Sequence, residues 1–294
     1  MKVAVVAHAG KTFGGGLLEL RRELERQGIS EPLWYEVPKS RKAPAQVARA
    51  LEDGAELLFV WGGDGMVQQC IDGLDGANVP VAVVPAGTAN LFASNLEIPQ
   101  DIEQAVQIGL HGARRTLDVG RMNGERFAVM AGAGFDAQMI READAGLKDR
   151  IGRLAYVWTG VAQLNRKPFE AKIKVDGSTW FEGKASSVLL GNVGELFAGV
   201  EAFEGARPDD GVLELGVVTA DSVLDWVRTI ARTAAGASSA SPFVKVTKAH
   251  SAEVTFDRKI LYELDGGDRK KVKKLEIEVE PEAITVCVPA GGTT

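Results

Sequence analysis

A glycine-rich tetrapeptide with one carboxylate, Gly62-Gly63-Asp64-Gly65, is the segment of this chain best suited to binding phosphates. It follows an apolar run, Leu57–Trp61, which predicts a buried strand, and it precedes a segment of helical spacing. Glycines let the backbone approach a phosphate, and the following helix supplies N–H groups. The Asp64 carboxylate suits a hydrated Mg²⁺ or a substrate hydroxyl. Taken alone, the tetrapeptide is equally typical of a tight turn with an aspartate cap.

A second polar loop, Pro85–Asn90, follows the next predicted strand, Val81–Val84, and begins another helical segment. The carboxyl ends of neighbouring parallel strands meet at one edge of a sheet, where ligands of open α/β folds bind. Gly87 permits close approach of a ligand, and Thr88 and Asn90 carry groups that bond phosphate or ribose oxygens. Their alternative role is to cap the helix. Two such loops in succession predict a nucleotide site more specifically than either loop alone.

A third candidate segment follows the first predicted strand, Val3–Ala7. Gly10 and Lys11 resemble the end of a phosphate-binding P-loop, but that pattern needs a glycine where the chain has Val5. Both residues remain candidates for phosphate contact, and His8 at the strand end is a candidate for contact with the ligand. A flexible surface loop is the alternative that stays open.

The hydrophobic pattern predicts two domains of different architecture. The first 118 residues alternate apolar runs with helical segments, which predicts a parallel sheet covered by helices on both faces. Beyond them, strand-like segments flank the hairpin signals Asn123-Gly124 and Asp176-Gly177. We therefore expect an α/β domain over residues 1–118, to which residues 285–294 return, and a mainly antiparallel β domain over residues 119–284.

Besides a helix predicted over Asp221–Gly236, three segments of the second half invite functional interpretations. Leu147–Val161 predicts an amphipathic helix, and such an apolar stripe is more often core than lipid pocket. Gly132–Ala137 matches a dinucleotide-binding fingerprint, but it follows a hairpin strand, so close packing is favoured. The basic run Arg269–Lys274 is typical of a solvated hairpin, and in a minority of proteins such a run binds anionic headgroups.

Composition excludes several classes of protein. The 294 residues carry 34 Lys and Arg against 40 Asp and Glu, a net charge of −6, which argues against sequence-independent nucleic-acid binding. Cys70 and Cys287 predict neither a disulfide scaffold nor a zinc site. No apolar stretch reaches the roughly 20 residues of a membrane-spanning helix, and the N-terminus reads as a strand rather than a signal peptide. We expect a cytoplasmic protein whose membrane contact, if any, is peripheral; a homodimer stays open.

At several segments the chain resembles the diacylglycerol kinase catalytic family, which includes sphingosine kinases and bacterial lipid kinases. Its G-G-D-G loop is shared with NAD kinases and phosphofructokinases. The resemblance implies a three-layer α/β/α domain of the NAD kinase and phosphofructokinase type followed by a β-sandwich. It also implies transfer of a phosphoryl group from ATP, with Mg²⁺, to a lipid or lipid-like hydroxyl in the cleft between the domains. Beyond the two loops, the matching segments are Asp118–Gly120, Ala131–Ala137, Ala206–Leu213, Leu264–Gly266 and Val286–Pro289.

The same resemblance implies roles for individual residues. Gly62–Gly65 would hold nucleotide phosphates, with Asp64 organising Mg²⁺, and the residues of the second loop would form the other wall of the site. Asp118 matches an aspartate tied to the Mg²⁺–water network. Asp210 matches a position that binds a structural cation away from the cleft.

On the acceptor side the chain departs from the family pattern. The glutamate of the D-G-E motif, which serves the family as general base, is Gly267 here, and general-base catalysis contributes typically about 10²–10⁴-fold. Asp265 remains and Asp268 lies one residue beyond, so either carboxylate is a candidate to handle the acceptor; Asp268 is equally typical of a solvated turn. A changed acceptor, a nucleotide-binding regulator with little activity and an NAD kinase-like enzyme stay open.

Overall fold

The computed structural model describes residues 1–134, 168–197, 200–201, 203, 205–219 and 243–291. The chain divides into two compact units. The first contains residues 1–118 and 282–294, and the second contains residues 119–281. The helices predicted over Leu147–Val161 and Asp221–Gly236 lie outside the described residues, as does the second half of Gly132–Ala137.

The first unit is an α/β domain with a parallel sheet, as predicted. Two long strands, β5 (Ala113–Met122) and β18 (Val272–Val288), belong partly to this unit. The other elements in chain order are β1 (Val3–His8), α1 (Gly16–Arg26), β2 (Leu33–Val37), a 3₁₀ turn (Ser40–Lys42), α2 (Ala43–Glu52), β3 (Leu57–Gly62), α3 (Asp64–Leu74), β4 (Val81–Pro85), α4 (Leu91–Asn95) and α5 (Ile102–His111). The sheet order is β2–β1–β3–β4–β18, and all of these pairs are parallel.

Both faces of this parallel sheet are covered. Val5 and Phe59 share one cluster of buried side chains with Leu24 of α1 and Val106 of α5. The side chains that alternate with them along β1 and β3 are equally buried. Continuous burial is what makes these strands uninterrupted apolar runs, the pattern from which they were predicted.

The helix ends follow local sequence signals, with one difference from the prediction. α1 stops before Gly28, which adopts a φ of +86°, and Pro44 lies in the first turn of α2. Pro99 is typical of the first turn of a helix and predicts a helix start there, but the last helix of the first unit begins at Ile102. The reason is a side-chain cap, since the carboxylate of Asp101 accepts a hydrogen bond of 2.8 Å from a backbone N–H of the first turn.

The second unit is a β-sandwich of two mainly antiparallel sheets, which confirms the predicted fold class. Besides β5 and β18, the strands of this unit in chain order are β6 (Glu125–Phe127), β7 (Met130–Ala133), β8 (Phe169–Val175), β9 (Ser178–Ala185), β10 (Ser187–Gly191), β11 (Glu195–Phe197), β12 (Val200–Glu201), β13 (Leu213–Val218), β14 (Val244–Ala249), β15 (Ser251–Ile260), β16 (Tyr262–Leu264) and β17 (Gly267–Asp268). One sheet has the order β14–β13–β10–β7–β16–β17, and the other has the order β18–β15–β8–β9, with β5 paired to β18 and β6 paired to β5.

One core joins the two sheets of the sandwich. Ile173 of β8 and Leu275 of β18 belong to the same buried cluster as Leu190 of β10 and Leu215 of β13. The two predicted hairpins are present. In each turn both central residues have positive φ, +51° and +88° at Asn123-Gly124 and +47° and +82° at Asp176-Gly177, so that the backbone matches the twist of the strands.

No helix in the described part of the chain combines the length and the apolar character that crossing a membrane requires.

Candidate active site

The candidate site lies where three neighbouring parallel strands end. The register aligns Ala7 of β1 with Trp61 of β3, and Gly62 of β3 with Pro85 of β4. The segments that follow β1, β3 and β4 therefore emerge side by side at the carboxyl edge of the sheet, where open α/β folds bind ligands. The structure thus brings together the three loops that the sequence singled out.

The two glycine loops touch through their backbones. A Cβ atom on Gly87 would lie 2.5 Å from the Cα atom of Gly63, and one on Gly63 would lie 3.0 Å from the Cα atom of Gly87. The N–H of Ala86 also donates a hydrogen bond of 2.9 Å to the carbonyl of Gly62. Any side chain at position 87 would separate the loops, which explains the glycines in steric terms.

Asp64 is the negatively charged residue of the two loops, and it also links them. It is the first residue of α3, after the N-cap Gly63, and it is half-buried. Its Oδ1 accepts a hydrogen bond of 2.9 Å from the N–H of Phe92, in the first turn of α4. The sequence pointed to the carboxylate but not to this partner, because the two residues lie 28 positions apart.

Asn90 holds the second loop in shape. It has a left-handed φ of +51° and is only 7% exposed. Its Oδ1 accepts from the N–H of Gly87 at 2.8 Å, and its Nδ2 donates to the carbonyl of Gly87 at 3.0 Å. Thr88, by contrast, is exposed between them. The structure therefore places Asn90 within the loop framework and leaves Thr88 exposed.

His8 and Lys11 organise the first loop. The Nδ1 of His8 accepts a hydrogen bond of 3.1 Å from the N–H of Gly10, which requires an unprotonated Nδ1. Burial, and then the charge of Lys11, lower the pKa of His8 below its usual 6.5. The carbonyl of Lys11 accepts from the indole N–H of Trp61 at 3.3 Å, so β3 anchors this loop.

Within the described residues, no three His, Cys, Asp or Glu side chains form a cluster that could hold a metal ion. Mg²⁺ on a nucleotide takes most of its ligands from phosphates and water, and one or two carboxylates suffice to position it. A single carboxylate such as Asp64, at the edge of phosphate-binding loops, fits that chemistry.

Asp118 contacts the returning segment of the chain. It is 3% exposed, and its Oδ1 accepts a hydrogen bond of 2.8 Å from the N–H of Glu282, which has a left-handed φ of +52°. This bond fixes the backbone where β18 enters the first unit.

Asp265 is built into the backbone of the second unit. Asp265 and Gly266, with φ of +44° and +73°, form the two-residue turn between β16 and β17. The Asp265 carboxylate is 4% exposed and accepts three backbone N–H bonds of 2.7–2.9 Å, and sequence reasoning missed these partners because they lie 135–137 positions away. The donors are Ala128, Val129 and Met130.

We predict that Asp265→Asn lowers the free energy of unfolding by about 1–3 kcal/mol. The amide keeps one acceptor oxygen but turns an NH₂ group toward a buried N–H. Urea unfolding measures the effect, and Asp268→Asn, at an exposed position, is the matched control that should stay within about 0.5 kcal/mol of the wild type. Unchanged stability of Asp265→Asn together with a loss of activity would instead assign this carboxylate to catalysis.

Arg269 covers the position where the family motif has glutamate. The Nη1 atom of Arg269 donates a hydrogen bond of 3.0 Å to the carbonyl of Gly267. A Cβ atom added to Gly267 would lie 2.8 Å from the same Nη1 atom. The Nε atom of Arg269 is 2.8 Å from the carboxylate of Glu125. The guanidinium group therefore takes up the space into which a side chain at 267 would extend, while Asp268 is exposed.

Comparison with known proteins shows to which family this architecture belongs. The family model of the diacylglycerol kinase catalytic domain matches residues 2–122, and that of the YegS C-terminal NAD kinase beta sandwich-like domain matches residues 129–288. A diacylglycerol kinase from Bacillus subtilis is 31% identical over 219 residues, which cover 72% of this chain and 71% of that protein. The chain belongs to the diacylglycerol kinase catalytic-domain family.

Solved structures share the fold of this family member. A diacylglycerol kinase from Bacillus anthracis superimposes with a TM-score of 0.74 at 20% identity, covering 98% of this chain and 96% of that one. An NAD kinase from Archaeoglobus fulgidus in complex with ATP gives a TM-score of 0.54 at 12% identity, covering 98% and 93%. The fold relation to NAD kinases that the G-G-D-G loop implied is therefore confirmed.

Proposed function

We propose that this protein is an ATP- and Mg²⁺-dependent kinase that phosphorylates the hydroxyl of a lipid or lipid-like acceptor. The observation that carries the proposal is the contact of two glycine loops at the ends of β3 and β4, joined by Asp64, in a member of this family. Phosphoryl transfer depends mainly on positioning and charge neutralisation, and loops of this kind supply both.

In the proposed mechanism the first unit binds the triphosphate. Gly62–Gly65 admit the phosphates close to the backbone, and the N-terminus of α3 offers N–H groups to them. Lys11 adds a positive charge at the same edge of the sheet. Asp64 is the residue that would hold Mg²⁺, which when bound would offset the negative charge of the transferred group. The acceptor oxygen forms the new bond to the γ-phosphorus as the bond to ADP breaks.

Two carboxylates, Asp265 and Asp268, are the candidates to accept the proton of the substrate hydroxyl. Asp265 accepts three backbone N–H bonds, so we assign it to positioning the β16–β17 turn rather than to proton transfer. Asp268 is exposed one residue after the position of the missing glutamate and is the carboxylate we propose as proton acceptor. Since the transition state of phosphoryl transfer is loose, a poorly placed base slows the reaction without abolishing it.

A nucleotide-binding regulator is the second candidate function, favoured by the guanidinium group over Gly267. The deciding experiment incubates the protein with Mg²⁺ and γ-labelled ATP and offers diacylglycerol, a sphingoid base, a total lipid extract and NAD as separate acceptors. The kinase proposal expects label in a lipid product. Saturable ATP binding without transfer would support the regulator, and label in NAD alone would support an NAD kinase-like enzyme.

The variant Gly267→Glu tests whether the missing base limits the rate. We expect it to fold, because the atom closest to the new Cβ, at 2.8 Å, is Nη1 of the Arg269 side chain, and the backbone carbonyl oxygen of Leu264 is 3.3 Å away. We also expect it to raise lipid phosphorylation by up to about 10²-fold. Gly267→Gln is the matched control, with the same shape but no base, and should leave the rate near that of the wild type. Equal rates for both variants would show that the glutamate is not the missing element.

We also propose that the lysines at the β17–β18 end of the sandwich bind anionic membranes from the cytoplasmic side. Lys270, Lys271 and Lys273 are exposed and form no ion pair with any described residue, whereas Lys274 is bonded to Glu253 and Glu276 at 2.8 Å each. Each of these lysines would contribute roughly 1 kcal/mol to the free energy of binding to an anionic surface.

Replacing those three lysines by glutamine should weaken sedimentation with phosphatidylglycerol-containing vesicles by up to about 10²-fold. The control replaces three lysines that already have carboxylate partners, Lys172, Lys174 and Lys274, and should change binding much less. If both triple variants lost vesicle binding equally, net charge alone would explain the effect, and the proposal of a localised membrane-binding surface would be contradicted.

A further inference from the structure

Asp210 and Glu214 of the second unit share one positively charged partner, Lys248. Glu214 lies on β13 directly opposite Lys248 on β14, in an antiparallel pair. The Nζ atom of Lys248 is 2.9 Å from Oδ2 of Asp210 and 3.4 Å from Oε1 of Glu214. A single ammonium group therefore contacts both carboxylates.

Burial makes a positive charge necessary at this place. The side chain of Glu214 is only 8% exposed and that of Asp210 is 21% exposed. Burial raises the pKa of Glu214, and the charge of Lys248 opposes that rise. Two carboxylates of like charge this close to one point would repel each other if nothing positive lay between them.

Divalent cations are the usual alternative to such an ammonium. Carboxylate oxygens are the ligands that Mg²⁺ and Ca²⁺ prefer, and the family resemblance implies a structural cation at the position of Asp210. In this chain the Nζ atom already occupies the point from which an ion would reach both carboxylates, and an ion beside it would be repelled by the ammonium. The residues present therefore do not fit a metal ion.

We propose that Lys248 is the built-in counter-ion of Asp210 and Glu214, and that the second unit needs no metal ion at this position. The proposal concerns stability alone and is independent of the kinase activity. Its signature is the response of thermal unfolding to divalent cations in the absence of nucleotide.

The experiment follows the melting temperature of the whole protein during titration with MgCl₂ and with CaCl₂ at constant ionic strength. The wild type and Lys248→Arg, which keeps the charge, should show no saturable rise. Lys248→Met should melt lower without cations and regain about 2–4 °C as cation saturates the vacated position. Adding Asp210→Asn to Lys248→Met should abolish that gain.

Lys245→Met is the matched control, because it removes the same charge from the same strand. Lys245 lies over the ring of Phe181 at 5.5 Å and should show no gained cation response. A saturable rise in the wild type that Asp210→Asn abolishes would overturn the proposal. So would a folded Lys248→Met variant without cation response. Should that variant not fold, the comparison of the wild type with Asp210→Asn alone decides.

Discussion

Replacing Asp64 by asparagine should lower phosphoryl transfer from ATP by at least about 10²-fold and leave the fold intact. Asparagine keeps an oxygen that can accept the 2.9 Å hydrogen bond from the N–H of Phe92, so the link between α3 and α4 survives. What it removes is the negative charge that we assign to Mg²⁺. The steady-state rate at saturating and limiting Mg²⁺ measures the effect.

Asp64→Ala separates the two roles of this side chain. It removes the hydrogen bond as well as the charge, so we expect the same loss of activity together with lower stability. Asp75→Asn is the control, since it makes the same charge change at the far end of α3, at an exposed left-handed position that asparagine tolerates. Wild-type transfer by Asp64→Asn would contradict the role given to the carboxylate.

Gly87→Ala should weaken nucleotide binding and lower transfer by about 10²-fold, because displacing positioning groups by about 1 Å costs that much. The added Cβ atom would lie 2.5 Å from the Cα atom of Gly63 and 2.7 Å from Oδ1 of Asn90. Neither neighbour is the free end of a flexible chain, so the two loops must move apart. Stability should fall by about 1–3 kcal/mol.

Gly63→Ala and Ala89→Ser are the control variants for Gly87→Ala. At Gly63 the new contact with the Cα atom of Gly87 is 3.0 Å rather than 2.5 Å, so the effect should be smaller. Ala89 is exposed in the same loop, and its serine variant should behave as the wild type. Nucleotide affinity, measured by calorimetry, that is unchanged in Gly87→Ala would mean that the contact of the loops does not shape the binding site.

The fold of the first unit could be predicted because its central strands are covered on both faces. Val3–His8, Leu57–Gly62 and Val81–Pro85 are almost wholly buried, and such strands are continuous apolar runs. Leu33–Val37 escaped prediction because it is an edge strand with mostly half-exposed side chains. The helix predicted to follow Asn90 is present as Leu91–Asn95, but its end could not be predicted, because a five-residue helix is too short to show periodicity.

The candidate site was predictable only in its local parts. A glycine requirement is visible in a few neighbouring residues, so both loops could be identified. The bonds of Asp64 to Phe92, of Asp265 to residues 128–130 and of Lys248 to Asp210 join residues that are distant in sequence. These bonds exist only because the sheets bring the segments together, and no sequence pattern encodes them.

Because β18 returns to the first sheet, the first unit does not correspond to a single continuous fragment of the chain. Val286 pairs with Val81 of β4, and Val286 and Cys287 are fully buried. A fragment truncated after residue 118 would leave β4 as an open edge with unpaired N–H and C=O groups, which promotes aggregation. Neither half can be isolated by one cut in the gene. A shortened version would need residues 282–291 grafted behind residue 118 through a linker.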